Sequence, residues 1–151
     1  MNTFTTRQAA TSDLDKLATI LDQYRQFYGR TSDVSAVREF LQARFLYKES
    51  STFVAIDGDR ILGFTQLYPS FSTLSLERIF ILNDLYVDEN SRQRGVAKRL
   101  IAAAAEYATS LGALSLTLST AKSNEAAQAL YSATGWVRDE HYYEYSLKLV
   151  P

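Results

Sequence analysis

The sequence predicts an α/β (α+β) fold. A central mixed, mostly antiparallel sheet carries helices on both faces, in the order β-α-α-β-β-β-α-β-α-β-β. Three observations carry this. Runs with period-two apolar alternation interchange with runs of apolar residues at helical spacing along the chain. Asp57-Gly58 is a tight-turn signal between two strand-like runs, which implies an antiparallel hairpin. The second half reads strand, helix, strand, which implies a parallel crossover. With 151 residues and no internal repeat, low-complexity tract or linker, the chain reads as a single domain over residues 1–151.

Taken in order, residues 3–7 alternate as a short strand. Thr11-Ser12-Asp13 offers helix caps, Leu14, Leu17, Ala18, Leu21, Tyr24 and Tyr28 follow at helical spacing, and Gly29 closes the segment. A second helix starts near Ser32 or Asp33, carries Val37, Phe40, Leu41, Arg44 and Phe45 as its stripe, and fades by Lys48. Thr52-Phe53-Val54-Ala55-Ile56 and residues 60–68 form the hairpin, which Pro69-Ser70 is expected to end. A longer strand spans residues 76–87. The helix beginning near Gly95 presents Leu100, Ala103, Ala104, Tyr107 and Leu111 on one face, with Gly112 as its stop. Residues 114–119 alternate as a strand, a short helix covers residues 124–133, and Trp136-Val137 and residues 142–149 read as two closing strands.

Composition narrows the function. Hydrophobic residues make up 46% and charged residues 22%, as in ordinary globular domains, and the net charge of −1 argues against nucleic-acid binding. There is no cysteine, which excludes a disulfide scaffold, a thiolate metal site and a cysteine nucleophile. No metal is expected. The opening residues lack the apolar core of a secretory signal, and no apolar run is long enough to span a membrane. The expectation is therefore a cytoplasmic protein without membrane or nucleic-acid partners.

The densest chemical signal is Asn83 to Leu111: a strand end, a polar turn, then a long helix. Arg92-Gln93-Arg94-Gly95-Val96-Ala97 opens the helix, and Lys98 and Arg99 follow. Helix N-termini present unpaired N–H groups and partial positive charge, so cations there call for an anion. A glycine allows close backbone approach, and bare N–H groups bind phosphate. A pyrophosphate cradle and a solvated basic helix end both fit this stretch. Ligands in such sheets bind at strand C-termini beside a helix N-terminus, which is where the turn from Val87 to Gly95 falls. There is no Gly-x-Gly-x-x-Gly after a strand and no Gly-x-x-x-x-Gly-Lys-Ser/Thr, which removes dinucleotide dehydrogenases and P-loop NTPases.

A second signal is Asn124-Glu125-Ala126-Ala127-Gln128-Ala129-Leu130-Tyr131. Asn124 and Tyr131 stand about two helical turns apart and share a face. That suits a narrow ligand along the helix; taken alone, an N-cap asparagine and a core tyrosine are the commoner explanation.

Together, Leu85-Tyr86-Val87, then Arg92-x-x-Gly95-x-Ala97 opening a helix, then Asn124, Ala127, Leu130-Tyr131 and Gly135-Trp136 resemble the GNAT superfamily of N-acetyltransferases. The resemblance spans nearly the whole chain and is strongest from Leu82 to Trp136. The family pattern is Arg/Gln-x-x-Gly-x-Gly/Ala, so this chain has the Arg and Ala variants, and Gly-Trp stands where Gly-Phe is common. The resemblance implies one N-acetyltransferase domain and acetyl-CoA as cofactor. Backbone groups of Leu85, Tyr86 and Val87 would pair with the pantetheine arm, and Arg92, Gln93, Arg94, Gly95, Val96, Ala97 and Lys98 would form the pyrophosphate site. Asn124 and Ala127 would meet the pantetheine region, and Tyr131 the sulfur.

With no cysteine, direct attack by the amine in a ternary complex is the simplest route to acetyl transfer. Tyr131 is the candidate donor to the departing sulfur, and a backbone N–H near Tyr86 or Val87 the group that polarises the carbonyl. Asp84 interrupts the mostly apolar run from Ile79 to Val87, and a strand-centre carboxylate is costly unless paired or functional. Period two places it with Tyr86 on one face. Receiving the ammonium is one role for it; a structural carboxylate is the other. His141, the single histidine, reads as a surface or packing residue.

The run from Leu82 to Val87 further resembles the polyamine and diamine branch and a related yeast group acting on polyamines and histone tails. Tyr24, Phe27, Tyr28, Tyr68, Phe71 and Asp84 then make an aromatic and acidic acceptor pocket for a small primary amine, since aromatic faces and carboxylates attract ammonium. Asp13, Asp15 and Asp22 would add negative potential. Core packing for these aromatics and solvation for these acids is the other reading. Peptide lysine or N-terminal acetylation and a non-catalytic acetyl-CoA-binding module remain as alternatives. A homodimer through residues 142–149 is a further expectation.

Overall fold

The structure, a computed structural model, describes residues 3–150. β1 (Thr5–Gln8) leads through a single 3-10 turn at Thr11–Asp13 into α1 (Leu14–Phe27) and α2 (Val34–Leu46). β2 (Ser51–Asp57), β3 (Arg60–Ser72) and β4 (Glu77–Val87) form an antiparallel meander. After α3 (Val96–Ser110), β5 (Leu116–Thr117) returns parallel to β4, and α4 (Glu125–Ala133) follows. The sheet runs β1-β2-β3-β4-β5, mixed and mostly antiparallel as expected. The chain forms two compact units, one ending at Ser119 and one beginning at Thr120.

In the first unit the sheet carries helices on both faces. Leu14, Leu17, Ala18 and Leu21 of α1 and Val37 and Leu41 of α2 bury with Val54 and Phe64, which are cross-strand partners. This follows from the α1 apolar spacing, which sets one stripe against one sheet face. On the opposite face, the α3 side chain Tyr107 meets Phe53 at 5.2 Å and Phe80 at 5.8 Å between ring centroids. Its hydroxyl lies 2.9 Å from Ser51 Oγ. α2 starts where Asp33 Oδ1 accepts the Ala36 N–H at 3.1 Å, an N-cap of the expected kind.

Three expectations are corrected. β3 does not end at Pro69-Ser70 but runs to Ser72, with Pro69 opposite Phe80. β2 has already ended at Ser51 opposite Leu67. Beyond that point β3 has a free side, where a residue without an N–H is tolerated. β5 is two residues long, although alternation extends over residues 114–119: only Leu116 and Thr117 pair with β4, opposite Phe80 and Ile81, and after Thr117 the two strands part. The closing strands at Trp136-Val137 and residues 142–149 are not formed, and residues 137–150 are exposed. β-prone alternation makes a strand only against a neighbouring strand, and none pairs with these residues. Among the described residues no helix is long and apolar enough to cross a membrane.

Candidate active site

Asp84 owes its position to an irregularity that strict alternation does not predict. Gln66 pairs with Asp84 and Leu67 with Leu82, so Asn83 is an extra residue, a β-bulge on β4. Leu82 is buried opposite Leu67. Without the bulge, Asp84 would share that face. The bulge turns it to the face of Gln66, and Tyr86 with it, opposite Phe64.

There Asp84 is held by amides. Gln66 Nε2 donates to Asp84 Oδ2 at 3.1 Å and to Tyr68 Oη at 3.0 Å. Thr52 Oγ1 donates to Gln66 Oε1 at 3.3 Å, and Asn83 Nδ2 donates to Asp84 Oδ2 at 3.1 Å. Gln66 is 1% exposed, whereas Asp84 is half-buried. Burial and then the nearby Asp84 charge push the Tyr68 hydroxyl up to about 12, so it keeps its proton through the neutral range. Gln66 is a site residue that the sequence reading missed. Its signal was a glutamine inside the buried run from Leu62 to Leu67.

The expected acceptor aromatics gather on this same face. Tyr24 meets Tyr28 at 5.2 Å and Tyr86 at 5.7 Å, and Phe27 meets Tyr86 at 6.2 Å. The Arg92 guanidinium lies over two of them, 5.6 Å from the Phe27 ring centre and 5.7 Å from that of Tyr86, while its Nε donates to the Val87 carbonyl at 3.2 Å. Phe71 does not join. It lies five residues beyond Gln66 on β3, about 16 Å along the strand, under Arg78. The three acids expected to add negative potential are engaged elsewhere. Asp13 pairs with Arg7 at 2.7 Å and Asp15 with Arg38 at 2.5 Å. Asp22, 2% exposed, accepts from Ser32 Oγ at 2.7 Å, the Asp33 N–H at 2.7 Å and Gln26 Nε2 at 2.9 Å. Those donors hold its carboxyl below the usual range.

The turn between β4 and α3 has an open backbone. Gln93 (φ 62°) and Gly95 (φ 77°) both adopt left-handed conformations, which turn successive N–H groups toward one concavity. A side chain at Gly95 would meet nothing within 4 Å, so the space over the helix start is clear. The first bond into α3 runs from the Arg99 N–H to the Gly95 carbonyl, leaving the N–H groups of Val96, Ala97 and Lys98 outside the helical ladder. Arg99 is turned away, donating to the Phe4 carbonyl at 2.8 Å. The β4–β5 ladder stops at Ile81 opposite Thr117, so residues 82–87 have a strand partner only on the β3 side. An extended ligand arm fits that edge, and an anionic group fits the helix start it leads to. Gly63 permits this closeness: a Cβ there would stand 2.7 Å from the Tyr86 carbonyl oxygen and 3.3 Å from Val96.

In the second unit, Asn124 caps α4, its Oδ1 accepting the Ala127 N–H at 3.2 Å. Asn124 and Tyr131 share one face of the helix. Tyr131 is half-buried, with its ring 5.8 Å from that of Trp136, and its carbonyl accepts the Trp136 N–H at 3.0 Å. His141 is exposed, as expected.

The sequence model of the acetyltransferase (GNAT) family matches residues 17–136. The chain belongs to this family. It is an N-acetyltransferase of the GNAT family, which uses acetyl-CoA generally. It is 43% identical over 143 residues to an uncharacterized N-acetyltransferase, YhfO, of Bacillus subtilis (strain 168), covering 95% of this chain and 96% of that one. A crystal structure of a probable acetyltransferase matches with a TM-score of 0.92 at 40% identity, covering 97% of this chain and 99% of the other. A shorter match, 32% over 87 residues, joins it to the D-amino-acid N-acetyltransferase HPA3 of Saccharomyces cerevisiae, covering 58% of this chain and 53% of that protein.

Proposed function

We propose that this GNAT acetyltransferase, one domain over residues 1–151, moves the acetyl group of acetyl-CoA to a primary amine of a small molecule by direct attack in a ternary complex. A polyamine or diamine is the favoured acceptor. The observation that carries this reading is Asp84. Its carboxylate is turned by a bulge onto the face that holds Tyr24, Phe27, Tyr28 and Tyr86, and is fixed there by buried Gln66. A carboxylate beside aromatic faces binds an ammonium group, and Tyr68 next to it stays neutral.

When bound, acetyl-CoA supplies an activated thioester carbonyl. The open edge at Leu85, Tyr86 and Val87 would hold its arm, and residues 93–98 its pyrophosphate. Asp84 receives the ammonium and takes its proton through water, leaving the free amine that attack requires. A backbone N–H near Tyr86 or Val87 would stabilise charge on the thioester carbonyl oxygen. Tyr131, by its place in the family motif, would supply the proton that a departing thiolate requires. No residue forms an acyl-enzyme in this scheme.

Similarity to the D-amino-acid N-acetyltransferase favours a second acceptor class, amino acids. Mass spectrometry of acceptor mixtures incubated with the protein and acetyl-CoA separates the two. Preferential N-acetylation of polyamines and diamines supports the favoured acceptor. Acetylated amino acids alone, or acetylated peptides alone, would replace it.

A further inference from the structure

We propose that the Tyr68 hydroxyl determines acceptor specificity: it donates a hydrogen bond to a neutral oxygen, such as a hydroxyl, on the second or third carbon from the reacting amine. Asp84 receives that amine on the reading above, and the assignment rests on it. A carboxylate can only accept, so the end of the Gln66 amide that faces Asp84 is Nε2. The same nitrogen lies 3.0 Å from Tyr68 Oη, so its second hydrogen goes there and Tyr68 is the acceptor. The Tyr68 hydroxyl therefore keeps its own hydrogen for another partner, and no described residue accepts it. Asp84 is half-committed in the same way. Gln66 Nε2 and Asn83 Nδ2 both donate to Oδ2, and no described residue donates to Oδ1.

One free acceptor and one free donor thus stand side by side. The N–H bonds of an amide nitrogen diverge by about 120°, which sets Asp84 Oδ2 and Tyr68 Oη about 5 Å apart. A ligand nitrogen and oxygen, each about 2.8 Å from its partner, are then about 3–5 Å from one another. That is the separation of an amine and an oxygen on the second or third carbon. A plain alkyl amine leaves the Tyr68 hydrogen to water. The charge of the ligand oxygen follows from the field at the phenol. Burial raises the Tyr68 pKa most, and of the two nearby charges Asp84 raises it by more than Arg44 lowers it, so the potential at the hydroxyl is negative. A carboxylate there is repelled and a neutral hydroxyl is not. This distinguishes the favoured acceptor from an amino acid, whose carboxyl is ionised at neutral pH. Asp84, Tyr68 and Gln66 all belong to the first unit, and Gln66, being buried, holds the other two in register.

Trimethylenediamine and the same diamine with a hydroxyl on its central carbon differ at this point alone. Their kcat/KM values are measured in the wild type and in Tyr68→Phe at saturating acetyl-CoA, and the ratio of alcohol to parent diamine is compared between the two proteins. Comparing ratios cancels the difference in amine basicity and any general effect of the substitution. The ratio should be about five- to tenfold higher in the wild type, the worth of one hydrogen bond. Acetylation of both diamines at the same ratio in both proteins would remove Tyr68 from this role and leave the transferase reading intact. Calorimetric affinities of the two diamines, with CoA bound, give the same comparison without turnover. A calorimetric ratio that falls in Tyr68→Phe while neither diamine is acetylated supports the role of Tyr68 and counts against acetyl transfer. In the wild type alone the alcohol should bind more tightly than its parent. Equal or weaker binding would overturn the proposal however Tyr68→Phe folds.

Discussion

Gln66 and Asp84 face each other across β3 and β4, the Gln66 amide donating to the Asp84 carboxylate at 3.1 Å from a position 1% exposed. The same amide donates to Tyr68 and accepts from Thr52, so both of its ends are committed and its orientation is fixed. A carboxylate held in this way is preorganised for a cationic acceptor.

Gln66→Leu should therefore leave Asp84 mobile and the Thr52 hydroxyl without its acceptor. Stability should fall by about 1–3 kcal/mol, and kcat/KM for the amine by about tenfold. Gln66→Glu should move the acidic limb of the kcat/KM–pH profile upward, because two adjacent carboxylates resist double ionisation. A profile identical to wild type would remove Gln66 from the positioning role.

Asp84→Asn keeps the shape and removes the charge. The KM for the amine should rise and kcat/KM should drop by about 10²–10⁴ if Asp84 also relays the proton, with acetyl-CoA affinity retained. Steady-state kinetics with each substrate varied in turn checks this, and unchanged turnover at saturating amine across pH would exclude the proton role.

Tyr131→Phe should lower turnover by about 10²-fold while acetyl-CoA binding, followed by calorimetry, is unchanged. An unchanged turnover number would exclude Tyr131 as proton donor.

Much of this arrangement was readable in the sequence, for identifiable reasons. The α1 stripe, the Asp57-Gly58 hairpin and the helix opening at Gly95 are local patterns, and the structure reproduces them. Asp84 stood out because a carboxylate interrupts an apolar strand. The bulge at Asn83 was invisible, since register depends on the partner strand rather than on β4 alone. Phe71 stands close to Tyr68 in sequence, but an extended strand carries it away from Asp84. Trp136-Val137 and residues 142–149 alternate as strands do but join no ladder, and pairing is a property of two strands that no single sequence window contains.

Gly95→Val should impair the turn in two ways. A β-branched residue at φ 77° costs about 1–2 kcal/mol, and its side chain fills the space above the α3 N-terminus. Thermal stability and acetyl-CoA affinity should both fall. Normal affinity would move the phosphate site away from this turn.

Acid should unfold the protein through Asp13 and Asp22. Arg7 holds Asp13, and Ser32 with the Asp33 N–H holds Asp22, so both carboxyls sit below the usual range. Their folded values lie under the unfolded ones. The stability they contribute is therefore complete above about pH 4 and is lost as pH falls through the folded values. Melting temperature against pH should show this decline, and Asp22→Asn should be less stable at neutral pH with a shallower acid limb. An identical acid limb would show that Asp22 does not contribute.

The most direct measurement is release of free CoA thiol from acetyl-CoA across polyamines, diamines, amino acids, aminoglycosides and lysine peptides. The absence of cysteine lets a thiol reagent report CoA without protein background. Acceptor-dependent release, highest with a polyamine or diamine and lost in Asp84→Asn, is the predicted result. Tight acetyl-CoA binding without release from any acceptor would contradict the account and leave a non-catalytic acetyl-CoA-binding module.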